Sequence, residues 1–361
     1  MTAASILIRY ALARPQFDLN VEVEVPARGI TGIFGESGAG KTSLLRCIAG
    51  LEKPARGKLV VAGDVWQDTD SNSARPVHER EIGYVFQEPR LFGHLDVRGN
   101  LLYGSKRAAA NGRDVEFSRV TDMLGLASML DRKPPELSGG EAQRVAIGRA
   151  LLRAPRLVLM DEPLASLDAA RKDEILPFLD RLHAELSLPI LYVSHHIEEV
   201  CRLCDHLLVI DNGRIVASGD LQTVLVRMDV PLLSGAEAGS VIVGEVIDYD
   251  TDYDLTTIGF SGGAFRVPGR HGDSGLPLRL RIRANDISLC RERPGQTTIL
   301  NVLDAKIEAM QAADGPSRLL RLRVGDDLLL ARVTRRSCDD LGLQTGETLQ
   351  AQVKAVAVRE L

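Results

Sequence analysis

The segment Gly35-Glu36-Ser37-Gly38-Ala39-Gly40-Lys41-Thr42 constrains this chain more than any other stretch of it. It fits G-x-x-x-x-G-K-[ST] and lies between a short apolar run, Ile30–Phe34, and a helical pattern over Lys41–Ala49. Its glycines let the backbone curl so that N–H groups face inward onto phosphate oxygens. The helix N-terminus adds partial positive charge. Lys41 has the reach for β- and γ-phosphates, and the Thr42 hydroxyl suits Mg²⁺, a hard cation that prefers oxygen. Gly35, Glu36, Ser37, Gly38, Ala39, Gly40, Lys41, Thr42 and Ser43 are therefore expected to cradle a nucleoside triphosphate.

To about Met228 the pattern alternates strand and helix. Ile6–Tyr10, Phe17–Val25, Arg56–Ala62, Ile82–Phe86, Leu157–Met160 and Ile190–Val193 read as strands. Asp114–Met129, Gly139–Leu152, Ala169–Leu186 and Ile197–Leu203 read as helices, and Leu207–Ile210 with Arg214–Ala217 as a hairpin around Asn212-Gly213. Apolar strands alternating with helices predict an α/β core with a largely parallel sheet. With 361 residues the chain exceeds the ~250–300 that one core usually sustains, so a second domain is expected. The small, polar segment 232–240 reads as a linker, and beyond it strands joined by Gly, Asp and Pro predict a small β-barrel. The stretches before and after about Arg291 read as two similar parts of it.

Composition narrows the function classes. A net charge of −5 argues against nucleic acid, which calls for a basic surface. No apolar run approaches the ~20 residues a bilayer requires, and no signal peptide is evident. Cysteines are few and odd in number, which suits a reducing compartment, and Cys201-x-x-Cys204 reads as packing within a helix.

Leu157-Val158-Leu159-Met160-Asp161-Glu162 is an apolar strand ending in two acids. Alternating side-chain direction gives the two carboxylates different tasks. Asp161 is expected to hold Mg²⁺ through water, and Glu162 to orient or deprotonate a water that attacks the γ-phosphate.

Leu137-Ser138-Gly139-Gly140-Glu141-Ala142-Gln143-Arg144 precedes a long helix and forms a second backbone nest suited to phosphate. With this segment the sequence resembles the ABC ATPases. The resemblance implies an α/β P-loop NTPase fold, an ABC cassette with a helical subdomain, followed by a small all-β barrel of Mop/TOBE type. It implies a cassette over 1–231 (helical subdomain about 88–150), the linker 232–240 and a β-barrel regulatory domain over 241–361, Mop-like from about 291 to 361. It also implies that Ser138, Gly139 and Gly140 of one subunit close on ATP held by the phosphate loop of another, in a homodimer. Gln87 matches the Q-loop, which contacts Mg²⁺ and water. Ser166 and Asp168 match the D-loop, which touches the opposite subunit, and His195 matches the switch histidine, beside the bystander His196. By resemblance Glu162, His195 and Gln87 are catalytic, and Thr42, Gln87 and Asp161 surround the metal. Tyr10, Arg14 and Phe17 are each open as the side chain that stacks on adenine.

The runs Gly83–Phe92, Val97–Leu101 and Asp161–Asp168 are similar to those of molybdate importer ATPases. That implies two integral membrane permease subunits and an extracellular or periplasmic oxyanion-binding protein acting indirectly. It places the chain on the cytoplasmic face of the inner membrane, with Gln87–Leu101 as the groove for a permease helix. Molybdate, or tungstate of like shape, is the expected cargo. Importers for sulfate, iron or polyamine share every catalytic residue. In the barrel, Thr297, Thr298 and Lys306 offer oxyanion contacts, whereas Leu300, Val356 and Ala357 stand where such modules carry Arg and serines. A ligand-binding and a purely structural or dimerising barrel both stay open.

Overall fold

The computed structural model describes residues 4–13, 17–104, 116–185, 188–312 and 315–361. The chain folds as two compact units, Met1–Ser218 and Gly219–Leu361.

The first unit is built on an 11-stranded sheet. In chain order its strands are β1 (Ser5–Ala13), β2 (Asp18–Pro26), β3 (Ile30–Phe34), β4 (Arg56–Val61), β5 (Asp64–Asp68), β6 (Ser73–Ala74), β7 (Ile82–Val85), β8 (Leu157–Asp161), β9 (Ile190–Ser194), β10 (His206–Asp211) and β11 (Arg214–Asp220). Their spatial order is β6-β5-β4-β1-β2-β11-β10-β3-β9-β8-β7. From β10 to β7 all pairings are parallel. Strands β3, β8 and β9 are buried at every residue, the mark of a parallel sheet covered on both faces.

The sheet is less parallel than its sequence pattern predicts. Strands β1, β2, β4, β5 and β6 form an antiparallel arm. The reason is local. In β2, Leu19, Val21, Val23 and Val25 are buried while the alternate residues face outward, as in a strand covered on one side. Tight turns then return the chain directly, as at Ala62-Gly63, where both residues have positive φ. Asn212 and Gly213, at φ 45° and 74°, make the predicted β10–β11 turn.

Helices α1 (Lys41–Ala49), α2 (Val97–Leu102), α3 (Phe117–Met123), α4 (Gly139–Leu151), α5 (Ala169–Glu185) and α6 (Ile197–Leu203) belong to this unit. The predicted helix 114–129 is broken. Helix α3 ends at Met123, Gly125 follows at φ 61°, and only a 3₁₀ turn at Ala127–Met129 resumes. Cys201 and Cys204 are buried, and Cys204 lies against Gly32 of β3, where a Cβ would sit 2.8 Å from its sulfur.

The second unit begins at Gly219, so the segment expected as a linker lies inside it. Leu233 and Ala238 are buried there, and Arg332 donates to the carbonyls of Ser234 and Gly235. After α7 (Leu221–Leu225), two five-stranded antiparallel sheets curl around one apolar core. One holds β12 (Gly239–Asp250), β13 (Leu255–Phe260), β14 (Gly263–Pro268), β15 (Pro277–Arg283) and β21 (Arg359–Glu360). The other holds β16 (Ile287–Cys290), β17 (Asn301–Met310), β18 (Ser317–Val324), β19 (Asp327–Thr334) and β20 (Thr348–Val353), with α8 (Arg335–Leu341) beside β18 and β19. Register shifts at Val246/Asp248 and Ile307/Ala309 bend the strands into a small barrel. Buried Asn301 ties the sheets together: its Oδ1 accepts from Arg266 N at 2.7 Å, and its Nδ2 donates to Arg266 O at 3.2 Å.

Candidate nucleotide site

The candidate residues gather at the carboxyl ends of β3, β9, β8 and β7, four neighbouring parallel strands. That is where open α/β sheets bind ligands. Gly35 follows β3, His195 follows β9, Glu162 follows β8 and Gln87 lies just past β7.

Gly35 begins the phosphate loop because nothing larger fits, since a Cβ there would stand 2.3 Å from the Ile210 carbonyl oxygen. Gly38 and Gly40 have φ of 85° and 102°, in the left-handed region that favours glycine. Gly40 caps α1, whose first residue is the buried Lys41. The Lys41 ammonium donates to the carbonyls of Gly35 and Glu36, both at 2.8 Å, and lies 3.8 Å from Glu162 Oε1. Burial lowers its pKa, while Glu162 and Asp161 work against that shift.

Thr42 Oγ1 donates to Asp161 Oδ1 at 2.9 Å, and the Tyr84 hydroxyl donates to Asp161 Oδ2 at 3.0 Å. Burial raises the Asp161 pKa against the pull of these two donors. Glu162 departs from strand geometry, with φ at 47°. That left-handed turn costs about 1–2 kcal/mol and parts the second carboxylate from the first. His195 Nδ1 lies 3.0 Å from Glu162 Oε2. Gln87 is exposed.

Behind β9 a buried network sets the histidine loop. Glu199 of α6 accepts from Lys172 at 2.7 Å, Tyr192 at 3.0 Å and Ser194 at 2.8 Å, and Ser194 Oγ accepts from His196 N at 3.0 Å. His196 is held below the usual histidine pKa by burial, then by Lys172. Lys172 is on α5, whose N-terminus Asp168 caps by accepting from Arg171 N at 2.9 Å.

Ser138 caps α4 in a capping box. Its Oγ accepts from Glu141 N at 3.2 Å, and its N donates to Glu141 Oε2 at 2.7 Å. Ser138 is exposed, with Gly139 and Gly140 beginning the helix behind it.

Of the residues open for stacking on adenine, Tyr10 is excluded. It is 1% exposed, and its hydroxyl reaches Cys47 O and Gln67 Oε1, both at 3.3 Å. Arg14 lies outside the described residues. Phe17 is half-buried with its ring against the phosphate loop, 2.9 Å from where a Gly40 Cβ would stand.

Beside β7 lies a cavity of about 550 Å³ lined among others by Leu51, Val77, Tyr84, Phe86, Phe92 and Tyr103. Arg80, Arg90, Arg149 and Arg153 also line it. Phe92 is half-buried. Its ring lies 4.2 Å from Tyr103 and under the Arg149 guanidinium. Leu51, Val77 and Tyr103 are the exposed apolar lip. Sequence reading missed those three, and it missed Tyr84 and Glu199 as site residues. A tyrosine alternating with apolar residues on a strand, and a glutamate within an apolar helix face, were the available signals.

Residues 19–165 match the family model of the ABC transporter, and residues 297–359 match that of the TOBE domain. The molybdenum import ATP-binding protein ModC 1 of Azotobacter vinelandii is 48% identical, covering 99% of both chains. The molybdenum import ATP-binding protein ModC of Methylococcus capsulatus is 47% identical, covering 98% of both. An ATP-binding cassette of an ABC transporter, solved in its ADP conformation, is 26% identical with a TM-score of 0.53, over 62% of this chain and 93% of that one. The fold and these likenesses thus define an ABC-type ATP-binding subunit. The chain belongs to the family of molybdenum import ATP-binding proteins within that class.

Proposed function

We propose that this chain hydrolyses ATP to drive molybdate uptake, as the ATPase subunit of an ABC importer. The observation that carries this reading is near-50% identity along the whole length, barrel included, to proteins named for molybdenum import. Tungstate, a tetrahedral dianion of similar size, is a second cargo of the same chemistry.

Lys41 and the backbone N–H groups of the phosphate loop hold the phosphates. The Thr42 hydroxyl and the Asp161 carboxylate are oxygen donors in contact, which fits Mg²⁺, an ion that completes its shell with water and phosphate oxygens. Bound there, Mg²⁺ would neutralise charge on the phosphates. Gln87, by its place beyond β7, would contact that ion and the attacking water. Glu162 orients and deprotonates the water, and His195 fixes Glu162 while reaching toward the γ-phosphate. Phe17 supplies the face for the base. The site is completed in a homodimer, where Ser138, Gly139 and Gly140 of one copy close on ATP held by its partner and the Asp168 turn faces the opposing subunit. Closure is favoured by ATP because only the closed state makes both sets of contacts.

Among the described residues no helix is long and apolar enough to cross a membrane. By its likeness to import ATP-binding proteins, the chain is anchored by permease subunits and is peripheral on the cytoplasmic face. The groove beside β7 takes a permease helix. Its aromatic walls fit apolar side chains, and its arginines fit an acidic one. A binding protein outside the membrane delivers the anion.

Deleting the gene and measuring molybdenum uptake from trace molybdate, with sulfate alongside, tests the reading. Loss of molybdenum uptake alone, restored by the intact chain and not by Glu162→Gln, is expected. Intact molybdenum uptake with loss of another solute would overturn the cargo.

A further inference from the structure

Tyr84 has one end in each of two sites. Its hydroxyl donates to Asp161 Oδ2 at 3.0 Å, while its ring lines the groove beside β7. The ring lies 4.3 Å from that of Phe86, and the Arg90 guanidinium lies 4.7 Å over Phe86. Phe86 and Arg90 line the same groove. Their backbone is held from α4, the helix that begins at Gly139. Gln143 donates to Phe86 O at 3.2 Å, and Arg149 donates to Arg90 O and Pro89 O, both at 2.9 Å.

A phenol ring is rigid, so a push on the ring moves the hydroxyl. A phenol, with an ordinary pKa of about 10, is a donor at any working pH. Both Asp161 oxygens are thereby engaged, one by the phosphate-loop helix and one by the groove wall.

We propose that Tyr84 is a positioning residue that couples the groove to the nucleotide site: an occupant pressing on Phe86 and Tyr84 shifts the donor on Asp161 and so changes affinity for Mg·ATP. This rests on the reading of the groove as the permease site. Coupling of this kind is reciprocal, so it is measurable from the nucleotide side alone.

The test uses a Glu162→Gln background, expected to bind without turnover. A fluorescent ATP analogue with Mg²⁺ is titrated into the chain alone and into the assembled transporter. With Tyr84 present the two dissociation constants are expected to differ by about 5-fold or more, the usual lower range for linked sites. Tyr84→Phe keeps the ring and removes the hydroxyl, and should reduce that ratio by about 5-fold relative to the parent, leaving only the part that dimer closure contributes, while assembly persists. Phe86→Leu keeps the hydroxyl and removes the ring contact, and should reduce the ratio as well, which covers a Tyr84→Phe chain that fails to fold. A ratio of one with Tyr84 present, or a ratio unchanged in the variants, overturns the coupling. Leu51→Glu, on the groove lip, separates the two readings. If it assembles with the permease as the parent does, the groove reading itself fails. If it loses assembly while Tyr84→Phe keeps the ratio, only the coupling fails.

Discussion

His195 Nδ1 and Glu162 Oε2 lie 3.0 Å apart across the ends of adjacent strands, so the imidazole ring steadies the carboxylate. Glu162→Gln is expected to bind ATP normally and to lose turnover by roughly 10²-fold or more, the scale for a lost general base. His195→Ala should fall in the same direction with binding preserved. Phosphate release, beside nucleotide binding by fluorescence, checks both. Residual hydrolysis near the parental rate in Glu162→Gln would move the base elsewhere.

Phe17 lies against Gly40, the residue that caps the phosphate-loop helix. Phe17→Ala should weaken ATP binding by about 1–3 kcal/mol, the worth of one base on an aromatic face. Binding of inorganic triphosphate, which has no base, should not change. Equal losses for both ligands would mean that Phe17 shapes the loop and leaves the base alone.

Glu199 holds three donors in a buried setting and joins α5 to the histidine loop. Removing it strands the Lys172 ammonium, so Glu199→Ala should cost about 3–5 kcal/mol in urea unfolding. Glu199→Gln keeps an acceptor and should cost less. A loss below roughly 1 kcal/mol, the worth of an exposed pair, would show that water reaches the network.

The Ser138 N–H, which donates to Glu141, holds that carboxyl below its ordinary pKa. A group depressed in the folded state adds stability above its unfolded pKa and loses it as pH falls through the folded value. The melting temperature of the parent should therefore exceed that of Glu141→Ala near about pH 6, and the gap should narrow toward about pH 3. A gap that does not change with pH would assign the difference to packing alone.

Much of the candidate nucleotide site was legible because it is local. The phosphate loop, α1 and the apolar strands β3 and β8 are each written in a few consecutive residues, and Lys41–Ala49 has the predicted ends because Gly40 and Gly50 cap it. The antiparallel arm was not legible, since β5 pairs with β4 through a turn whose strand, Asp64–Asp68, carries polar residues at half its positions or more. Nor was the groove. Leu51, Val77 and Tyr103 are far apart in sequence and meet only when α1, β7 and α2 are assembled. The Tyr84–Asp161 bond likewise depends on β7 lying beside β8.

The TOBE match starts at residue 297, yet Asn301 is bonded to the backbone of Arg266, and Arg359 pairs with Arg281 in the other sheet. The stretch that is inherited as a module is therefore not the stretch that holds itself together. Exchanging 297–359 for the same module from a relative would cut through a shared core, whereas exchanging everything from Gly219 onward would carry both halves of the barrel intact.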